Sequence, residues 1–302
     1  MSALFIQKIQ EPYIAPRFRR MIALHVMKNL LKRSDVQVPL LLGIHGPSGE
    51  GKTFQLEFIL RKMGVKRFLI SGGQMEGTVT ESPAKLVRNT YIRASESMKG
   101  GGSSAAVVLI NDVDTGLGSW GEGGKFSVNQ QTVFGELMHL VDYPTSVEGH
   151  DTLRVPVIIT GNDFTKLYDP LVRAGRMEAF EWIPTPDERA EIISTIFPEL
   201  SQEECRQLIY ELSDRVHQEI PNAAKVLSVA FYAHLRSMLL DEDLWQEIER
   251  YGIEKTLDNI VVGEEPDLSV GISYDRALNK GIELARSGQL INHLKYANGN
   301  GS

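Results

Sequence analysis

The chain has 302 residues, of which 42% are apolar, so it can form one large domain or two smaller ones around a sizeable core. A net charge of −7 argues against a dedicated nucleic-acid binder, because such proteins usually carry a basic excess. The single cysteine, Cys205, excludes an internal disulfide, and no apolar run is long enough to span a bilayer. We therefore expect a soluble protein.

The first quarter of the chain contains a strand followed by a glycine-rich loop. Residues 1–16 lack periodicity and are interpreted as a lead-in arm, and apolar residues at helical spacing then predict a helix over residues 17–32. Residues 38–44 form a nearly unbroken apolar run, as expected of a strand buried on both faces. Residues 46–53, GPSGEGKT, follow it directly and fit the phosphate-binding pattern G-x-x-x-x-G-K-[ST].

Each type of residue in this loop suits the binding of phosphate and Mg²⁺ for a physical reason. Its glycines permit backbone conformations in which successive N–H groups turn toward one anion, and the helix predicted over residues 54–63 adds the positive end of its dipole. Lys52 is expected to reach the outer phosphates, and the Thr53 hydroxyl to ligate Mg²⁺. A glycine turn without a ligand is the alternative. The predicted nucleotide-binding residues are Gly46, Pro47, Ser48, Gly49, Glu50, Gly51, Lys52 and Thr53.

Two acids follow the third predicted strand. A strand over residues 67–70, a glycine- and threonine-rich loop and a helix over residues 83–99 lead to an apolar strand over residues 105–110. That strand runs directly into Asn111-Asp112-Val113-Asp114. Acids at the end of a neighbouring strand suit Mg²⁺ binding and the positioning of water, so Asp112 and Asp114 are predicted catalytic residues and metal ligands. A turn rich in Asn and Asp is the alternative.

An asparagine and two arginines follow the next strand. A helix over residues 127–143 precedes the strand over residues 155–160, which ends just before Asn162. In a parallel sheet the Asn162 amide would lie at the same carboxyl edge, near the γ-phosphate, although asparagine also caps and turns. Arg173 and Arg176 lie beyond it. Arginine stabilises charge on a transferring phosphate, but a spacing of three on a turn is also typical of solvated charge.

The last part of the chain changes character. A fifth strand is predicted over residues 178–183, and strands alternating with helices indicate a parallel α/β sheet. After Pro184-Thr185-Pro186 no segment has a good strand pattern. Helices are predicted over residues 187–197, 201–217, 222–240, 243–251, 253–262 and 273–287. The fold class is therefore α/β, with a five-stranded parallel core followed by an all-helical lid.

The order of these motifs resembles an AAA+ ATPase, and within that group it resembles Rubisco activase of the plant and cyanobacterial type. The resemblance rests on LGIHGPSGEGKT, LINDVD, VIITGNDF and KLYDPLVRAGRMEAF, and on the spacing between them. It implies an enzyme that binds ATP and Mg²⁺ and hydrolyses ATP. It assigns Asn162 as the first sensor, and Arg173 and Arg176 as arginine fingers that act on the adjacent subunit. The active species would be a ring, expected to be a hexamer.

The resemblance also implies how force reaches a client. Loops over residues 71–82 and 116–129 are similar to pore loops that grip a terminus of the Rubisco large subunit, so that pulling releases a tight sugar phosphate. Trp120 and Phe126 could grip through apolar contact or pack within each monomer. Residues 251–262 lie where the family has a lid helix used in choosing its Rubisco partner, or they form an ordinary lid helix. The second sensor would be Arg236, with Lys225 as the alternative.

The sequence departs from the family pattern at Asn111, where Asp is usual, and this leaves open which acid holds Mg²⁺ and which positions water. The expected organisation is an arm over residues 1–16, an AAA+ subdomain over 17–184, a helical lid over 185–290 and a tail over 291–302. A cyanobacterial cytoplasm, with or without carboxysome association, or a chloroplast stroma is the expected location. No membrane or nucleic-acid partner is expected. Alternatives are an AAA+ protein with another protein or nucleic-acid client, a non-catalytic ATP-gated scaffold, and a small-molecule kinase.

Overall fold

The computed structural model describes most of the chain, over residues 11–31, 37–75, 82–100, 105–114, 127–219, 226–266, 268 and 271–287. Several sequence predictions therefore lie wholly or partly outside the described residues. They are Trp120, Phe126, Lys225, the tail over 291–302, most of the arm over 1–16, and much of the predicted pore loops over 71–82 and 116–129.

The chain divides into two compact units, each with its own core. The α/β unit comprises Ala15–Pro47 and Gly51–Ile183. The helical unit comprises residues 11–14, Ser48–Glu50 and the described residues from Pro184 onward. Three residues of the phosphate-binding loop thus group with the helices that follow the sheet in sequence.

The α/β unit is built on the predicted five-stranded sheet, which is confirmed. In chain order the strands of the described chain are β1 (Leu41–His45), β2 (Lys66–Ser71), β3 (Ala106–Asn111), β4 (Ser146–Val147), β5 (His150–Asp151), β6 (Val157–Thr160) and β7 (Met177–Glu181). The parallel sheet has the order β2-β3-β6-β1-β7. Leu41 of β1 lies beside Val157 of β6 and Met177 of β7, so β1 is internal, which explains its apolar sequence.

Helices cover this sheet and begin at identifiable caps. They are α1 (Pro16–Leu30), α2 (Lys52–Lys62), α3 (Pro83–Lys99), α4 (Val128–Asp142) and the short α5 (Asp169–Val172). The Ser82 hydroxyl accepts a hydrogen bond from the Lys85 N–H at the start of α3, and a capping box between Ser127 and Gln130 opens α4. The helices α3 and α4 pack on each other and bury Tyr91 and Phe134 in the core.

The hairpin of β4 and β5 was not predicted. Its four strand residues are mostly polar, so they carry no apolar alternation. The connecting residues Glu148 and Gly149 have φ angles of 49° and 79°. Two positive φ angles are typical of a type I′ turn, but Glu-Gly is a weaker signal for that turn than Asn-Gly.

The helical unit contains α6 (Pro186–Ile196), α7 (Gln202–Glu219), α8 (Val229–Tyr251), α9 (Ile253–Val261) and α10 (Tyr274–Arg286). Its core takes apolar side chains from α6, α7, α8 and α10. Cys205 is fully buried in this core, and burial raises the pKa of its thiol.

The two helices predicted over 222–240 and 243–251 are wrong as separate elements, because α8 runs unbroken through residues 229–251. The prediction left residues 241–242 between the two helices. In the structure Arg276 pairs with Glu242 at 3.0 Å and with Asp243 at 2.7 Å, and Lys280 pairs with Glu242 at 2.7 Å. These cations from α10 offset the repulsion between neighbouring acids, so the helix continues.

Candidate functional site

The phosphate-binding loop leaves the carboxyl end of β1 and leads into α2. Gly46 has a φ of 141°, and a Cβ there would lie 2.2 Å from the Trp182 carbonyl oxygen, so only glycine fits. Gly51 is the N-cap of α2, and among the described residues no side chain hydrogen-bonds at that cap. The first N–H groups of α2 have no acceptor within the helix, which is the arrangement that binds an anion.

Lys52 lies at the centre of this loop and is only 7% exposed. Its Nζ donates hydrogen bonds to the carbonyl oxygens of Gly46 at 2.7 Å and Pro47 at 2.9 Å, and to Oδ1 of Asn162 at 3.0 Å. Asn162 follows β6, the strand next to β1. The expected proximity of Lys52 and Asn162 is therefore present in the structure.

Asp114 is buried against the segment that carries Asn162. Its side chain is 2% exposed, and its Oδ2 accepts hydrogen bonds from the N–H groups of Asn162 at 2.9 Å and Asp163 at 3.1 Å. Hydrogen bonds to an ionised acceptor are among the stronger ones in proteins. This carboxylate consequently fixes the backbone from which the Asn162 amide reaches Lys52.

Asp112 has a different environment, although it is only two residues away. It is exposed and has a φ of 52°, a conformation that Asp tolerates better than most residues. Its N–H donates to the Thr160 hydroxyl at 3.2 Å, and that hydroxyl donates to Oδ1 of Asn111 at 3.2 Å. Asn111 thus links β3 to β6, and Asp112 is an exposed acid at this end of the sheet.

The oxygen donors near the loop suit Mg²⁺ held together with phosphate. The Thr53 hydroxyl and the Asp112 carboxylate are hard donors of the kind that Mg²⁺ prefers. Within the described ranges, no group of three or more His, Cys, Asp or Glu side chains could hold a metal.

His45, at the end of β1, packs its ring against Phe164 with centroids 5.0 Å apart. Burial lowers the pKa of His45, and the carboxylates of Glu181 and Asp163 oppose this shift. It is therefore suited to be a neutral wall of the site.

The structure does not bring Arg173 and Arg176 to Lys52. The Leu41 N–H donates to the Arg176 carbonyl oxygen at 3.3 Å, which places Arg176 at the amino end of β1, whereas the loop begins at its carboxyl end. A strand of five residues separates the two ends by roughly 15 Å. The Arg176 guanidinium donates to the Pro170 carbonyl oxygen at 3.0 Å and pairs with Asp142 at 3.6 Å, whereas Arg173 is exposed.

A cleft of about 590 Å³ lies beside these arginines. Two further cations, Lys28 and Arg154, line it together with Arg173 and Arg176. This cluster could not be recognised in the sequence, because its members come from α1, from the approach to β6 and from the approach to β7.

In the helical unit, the predicted second sensor has a partner of its own. Arg236 donates two hydrogen bonds to Glu199, at 2.5 and 2.7 Å. A different arginine contacts the phosphate-binding loop: Arg189 Nη1 lies 3.0 Å from Oε2 of Glu50. The capping box that begins α6 at Thr185 was the one local signal that could have placed Arg189 in a fixed position.

Comparisons with known proteins agree with the α/β fold. Residues 42–185 match the model of the ATPase family associated with various cellular activities, or AAA. Residues 42–185 thus resemble an AAA domain. Over 257 residues it is 43% identical to ribulose bisphosphate carboxylase/oxygenase activase of Anabaena sp., covering 82% of this chain and 59% of that protein. Over 266 residues it is 36% identical to the chloroplastic activase 1 of Nicotiana tabacum, covering 84% and 56%.

The resemblance to Rubisco activase that the motifs indicated is thereby confirmed, and the family of the matched model is one of ATPases, which bind nucleotide. The chain spans less than two thirds of the length of these relatives. Among the helices that the structure describes, none has the length and apolar character needed to cross a membrane.

Proposed function

We propose that this chain is an ATP-driven remodelling protein that releases tight-binding sugar phosphates from inhibited Rubisco. The observation that carries the proposal is the Lys52–Asn162 contact at the carboxyl edge of an AAA sheet, in a chain similar to Rubisco activases. The proposed reaction is ATP hydrolysis by attack of water on the γ-phosphate. Mg²⁺, when bound, supplies charge neutralisation on the phosphates.

Each residue of the loop edge then has a distinct role. The N–H groups of residues 46–53 and the Lys52 ammonium bind the phosphates, and Thr53 contributes its hydroxyl to Mg²⁺. Asn162 orients the attacking water. Asp112, as the exposed acid, polarises that water and shares the metal, whereas buried Asp114 holds Asn162 in place. The second-sensor role of Arg236 requires that its pair with Glu199 opens.

The position of Arg173 and Arg176 supports action on a neighbouring subunit. They lie at the opposite end of β1 from the phosphate-binding loop of their own chain, too far away to reach its phosphates. A ring in which each subunit offers these arginines to the next would complete every site, and a hexamer is the expected size. The proposed boundaries are 17–184 for the AAA+ subdomain and 185–290 for the lid.

An exposed apolar surface on α9 supports a protein client. Ile253, Leu257 and Val261 are 66%, 58% and 76% exposed, and their spacing places them on one face of the helix. Isolated apolar side chains on a surface are normal, but an aligned set marks an interaction site. We assign this face to recognition of Rubisco, in the cyanobacterial cytoplasm or chloroplast stroma where such enzymes act.

The test is recovery of carboxylase activity from cyanobacterial Rubisco that is loaded with a tight-binding sugar phosphate. Recovery should require ATP, fail with a non-hydrolysable analogue and be lost in Lys52→Ala. Lys62→Ala, at an exposed lysine later in α2, is the matched control and should behave as the wild type. Recovery that persists with the analogue or with Lys52→Ala would show that ATP hydrolysis does not drive the release. ATP hydrolysis without any recovery would show that this Rubisco is not the client.

A mixing experiment tests the proposed trans arginine. Lys52→Ala and Arg176→Ala should each be inactive as ATPases. Mixed in equal amounts they should recover roughly a quarter of the wild-type rate, because random assembly pairs an intact loop with an intact arginine at about one interface in four. A rate no greater than the sum of the two separate proteins would show that Arg176 does not act across subunits.

A further inference from the structure

The phosphate-binding loop contains an acid at a position where a negative charge is unfavourable. Glu50 lies between Gly49 and Gly51, inside the segment predicted to surround phosphates. A free carboxylate within a few ångströms of phosphate oxygens would repel them. The loop therefore needs a way to neutralise Glu50.

The helical unit provides that neutralisation. Glu50 and Arg189 are 5% and 6% exposed, and Arg189 Nη1 lies 3.0 Å from Oε2 of Glu50. The same Nη1 donates to the Leu227 carbonyl oxygen at 2.9 Å. The two side chains thus form a buried ion pair, and removal of Arg189 would leave an uncompensated carboxylate.

The position of Arg189 is set by the start of α6. The Thr185 hydroxyl accepts from the Glu188 N–H, and the Glu188 carboxylate accepts from the Thr185 N–H at 2.8 Å, which forms a complete capping box. Pro186 occupies the first turn. Arg189 is therefore presented from a rigid helical turn, not from a mobile loop.

A second contact fixes the neighbouring glycine. The Ala230 N–H donates to the Gly49 carbonyl oxygen at 2.9 Å. Gly49 has a φ of 77°, and a Cβ there would lie 3.0 Å from the Ser228 hydroxyl and 3.1 Å from the Ala230 Cβ. The beginning of α8 thus packs directly on the loop backbone, next to the residue that Arg189 holds.

We propose that Arg189 is a positioning residue for nucleotide binding. Its guanidinium keeps the Glu50 carboxylate buried and balances the negative charge of that carboxylate while the loop holds phosphates. The inference deepens the proposed function and rests on it, because it requires that this loop binds a nucleotide. It differs from the second-sensor assignment of Arg236, since Arg189 acts through Glu50.

The experiment measures the affinity of the full chain for a fluorescent ATP analogue with Mg²⁺, in Arg189→Met, Glu50→Gln and the double variant. Arg189→Met should weaken binding about tenfold, because the unpaired carboxylate turns toward the phosphates. Glu50→Gln alone should change affinity by less than about threefold, since a neutral amide at this position does not repel the phosphates. The double variant should regain most of the lost affinity. The KM for ATP should follow these changes while kcat changes little.

Two controls separate this inference from its premise. Lys52→Ala should abolish binding. A wild type that fails to bind would refute the proposed function and the role of Arg189 with it, whereas a wild type that binds leaves the role of Arg189 to be decided by its own variants. Arg276→Met removes another paired arginine of the helical unit and should leave the affinity unchanged. Wild-type affinity in Arg189→Met, or a double variant as weak as Arg189→Met, would overturn the inference.

Thermal unfolding of each variant shows whether it is folded. If Arg189→Met does not fold, Arg189→Lys replaces it, because lysine keeps the charge but not the guanidinium geometry. Its affinity should fall about threefold and be restored by Glu50→Gln. A loss that Glu50→Gln does not restore would contradict the role assigned to the pair.

Discussion

The two units of the chain place their polar groups differently. In the α/β unit Asp114 is 2% exposed and its carboxylate holds the backbone of Asn162 and Asp163, and the Asn162 amide in turn contacts Lys52. In the helical unit Arg286 and Glu219 form an ion pair whose side chains are 62% and 38% exposed. Buried polar groups at the sheet edge determine geometry, whereas exposed pairs add little because water and salt screen them.

One buried pair of the helical unit departs from this contrast. Arg189 and Glu50 are as inaccessible as the polar groups of the sheet edge, and Glu50 belongs to the phosphate-binding loop. The burial of a polar group therefore correlates with its proximity to the proposed nucleotide site and not with the type of secondary structure. Substitutions should therefore have larger effects on stability and ATP turnover at buried polar groups near this site than at exposed pairs away from it.

The largest effect should come from Asp114→Ala. Removal of a buried acceptor leaves two N–H groups unsatisfied, so the free energy of unfolding should fall by about 3 kcal/mol. ATP turnover should fall on the order of a hundredfold, because Asn162 loses its support. Urea unfolding and steady-state ATPase assays measure the two quantities.

Asp112→Asn is the matched variant, since Asn tolerates the same backbone conformation. It should lower turnover to a similar extent but change the free energy of unfolding by less than about 0.5 kcal/mol. If Asp114→Ala instead left stability intact and raised the Mg²⁺ concentration needed for activity, Asp114 would be a metal ligand.

An intermediate effect should come from His25, which is fully buried in α1. Burial lowers its pKa from 6.5 to about 3, and the charges of Lys28 and Arg154 add to this while the nearby Val157 backbone opposes it. The unfolded chain therefore binds a proton below pH 6.5 that the native protein does not take up until about pH 3. Stability falls as the pH decreases through this window.

Between pH 7 and pH 5 the His25 term should cost about 2 kcal/mol. His25→Gln should lose correspondingly less stability over the same interval, as measured by urea unfolding at each pH. Equal pH dependence in the two proteins would mean that His25 takes up its proton at the usual pH in the native state.

The smallest effect should come from Arg286→Ala. Both members of its pair are well solvated, so the midpoint of thermal unfolding should stay the same within error at moderate salt. If the midpoint fell by several degrees, this exposed ion pair would stabilise the protein as much as a buried one.

The sheet and its loop were predictable because short range signals specify them. Internal strands require apolar runs, and the loop requires Gly46, Gly51 and Lys52 at a fixed spacing. The placement of Asn162 next to Lys52 followed from the rule that parallel strands share a carboxyl edge.

Features that depend on distant contacts were not predictable. The unbroken α8 depends on Arg276 and Lys280 of α10, and the sequence of residues 241–243 does not indicate that these cations will be their partners. The pair of Glu50 and Arg189 joins residues far apart in the sequence, and the division of roles between Asp112 and Asp114 depends on burial that their shared turn does not encode. The domain limits and site roles remain predictions.

Cys205 has a practical consequence for the helical unit. It is the only cysteine in the sequence, it is fully buried, and burial raises the pKa of its thiol. An alkylating reagent can therefore react only after the core of α6, α7, α8 and α10 opens. The rate of alkylation of the unmodified protein records how often that core opens, without any signal from the sheet, so nucleotide-dependent tightening of the helical unit can be timed directly.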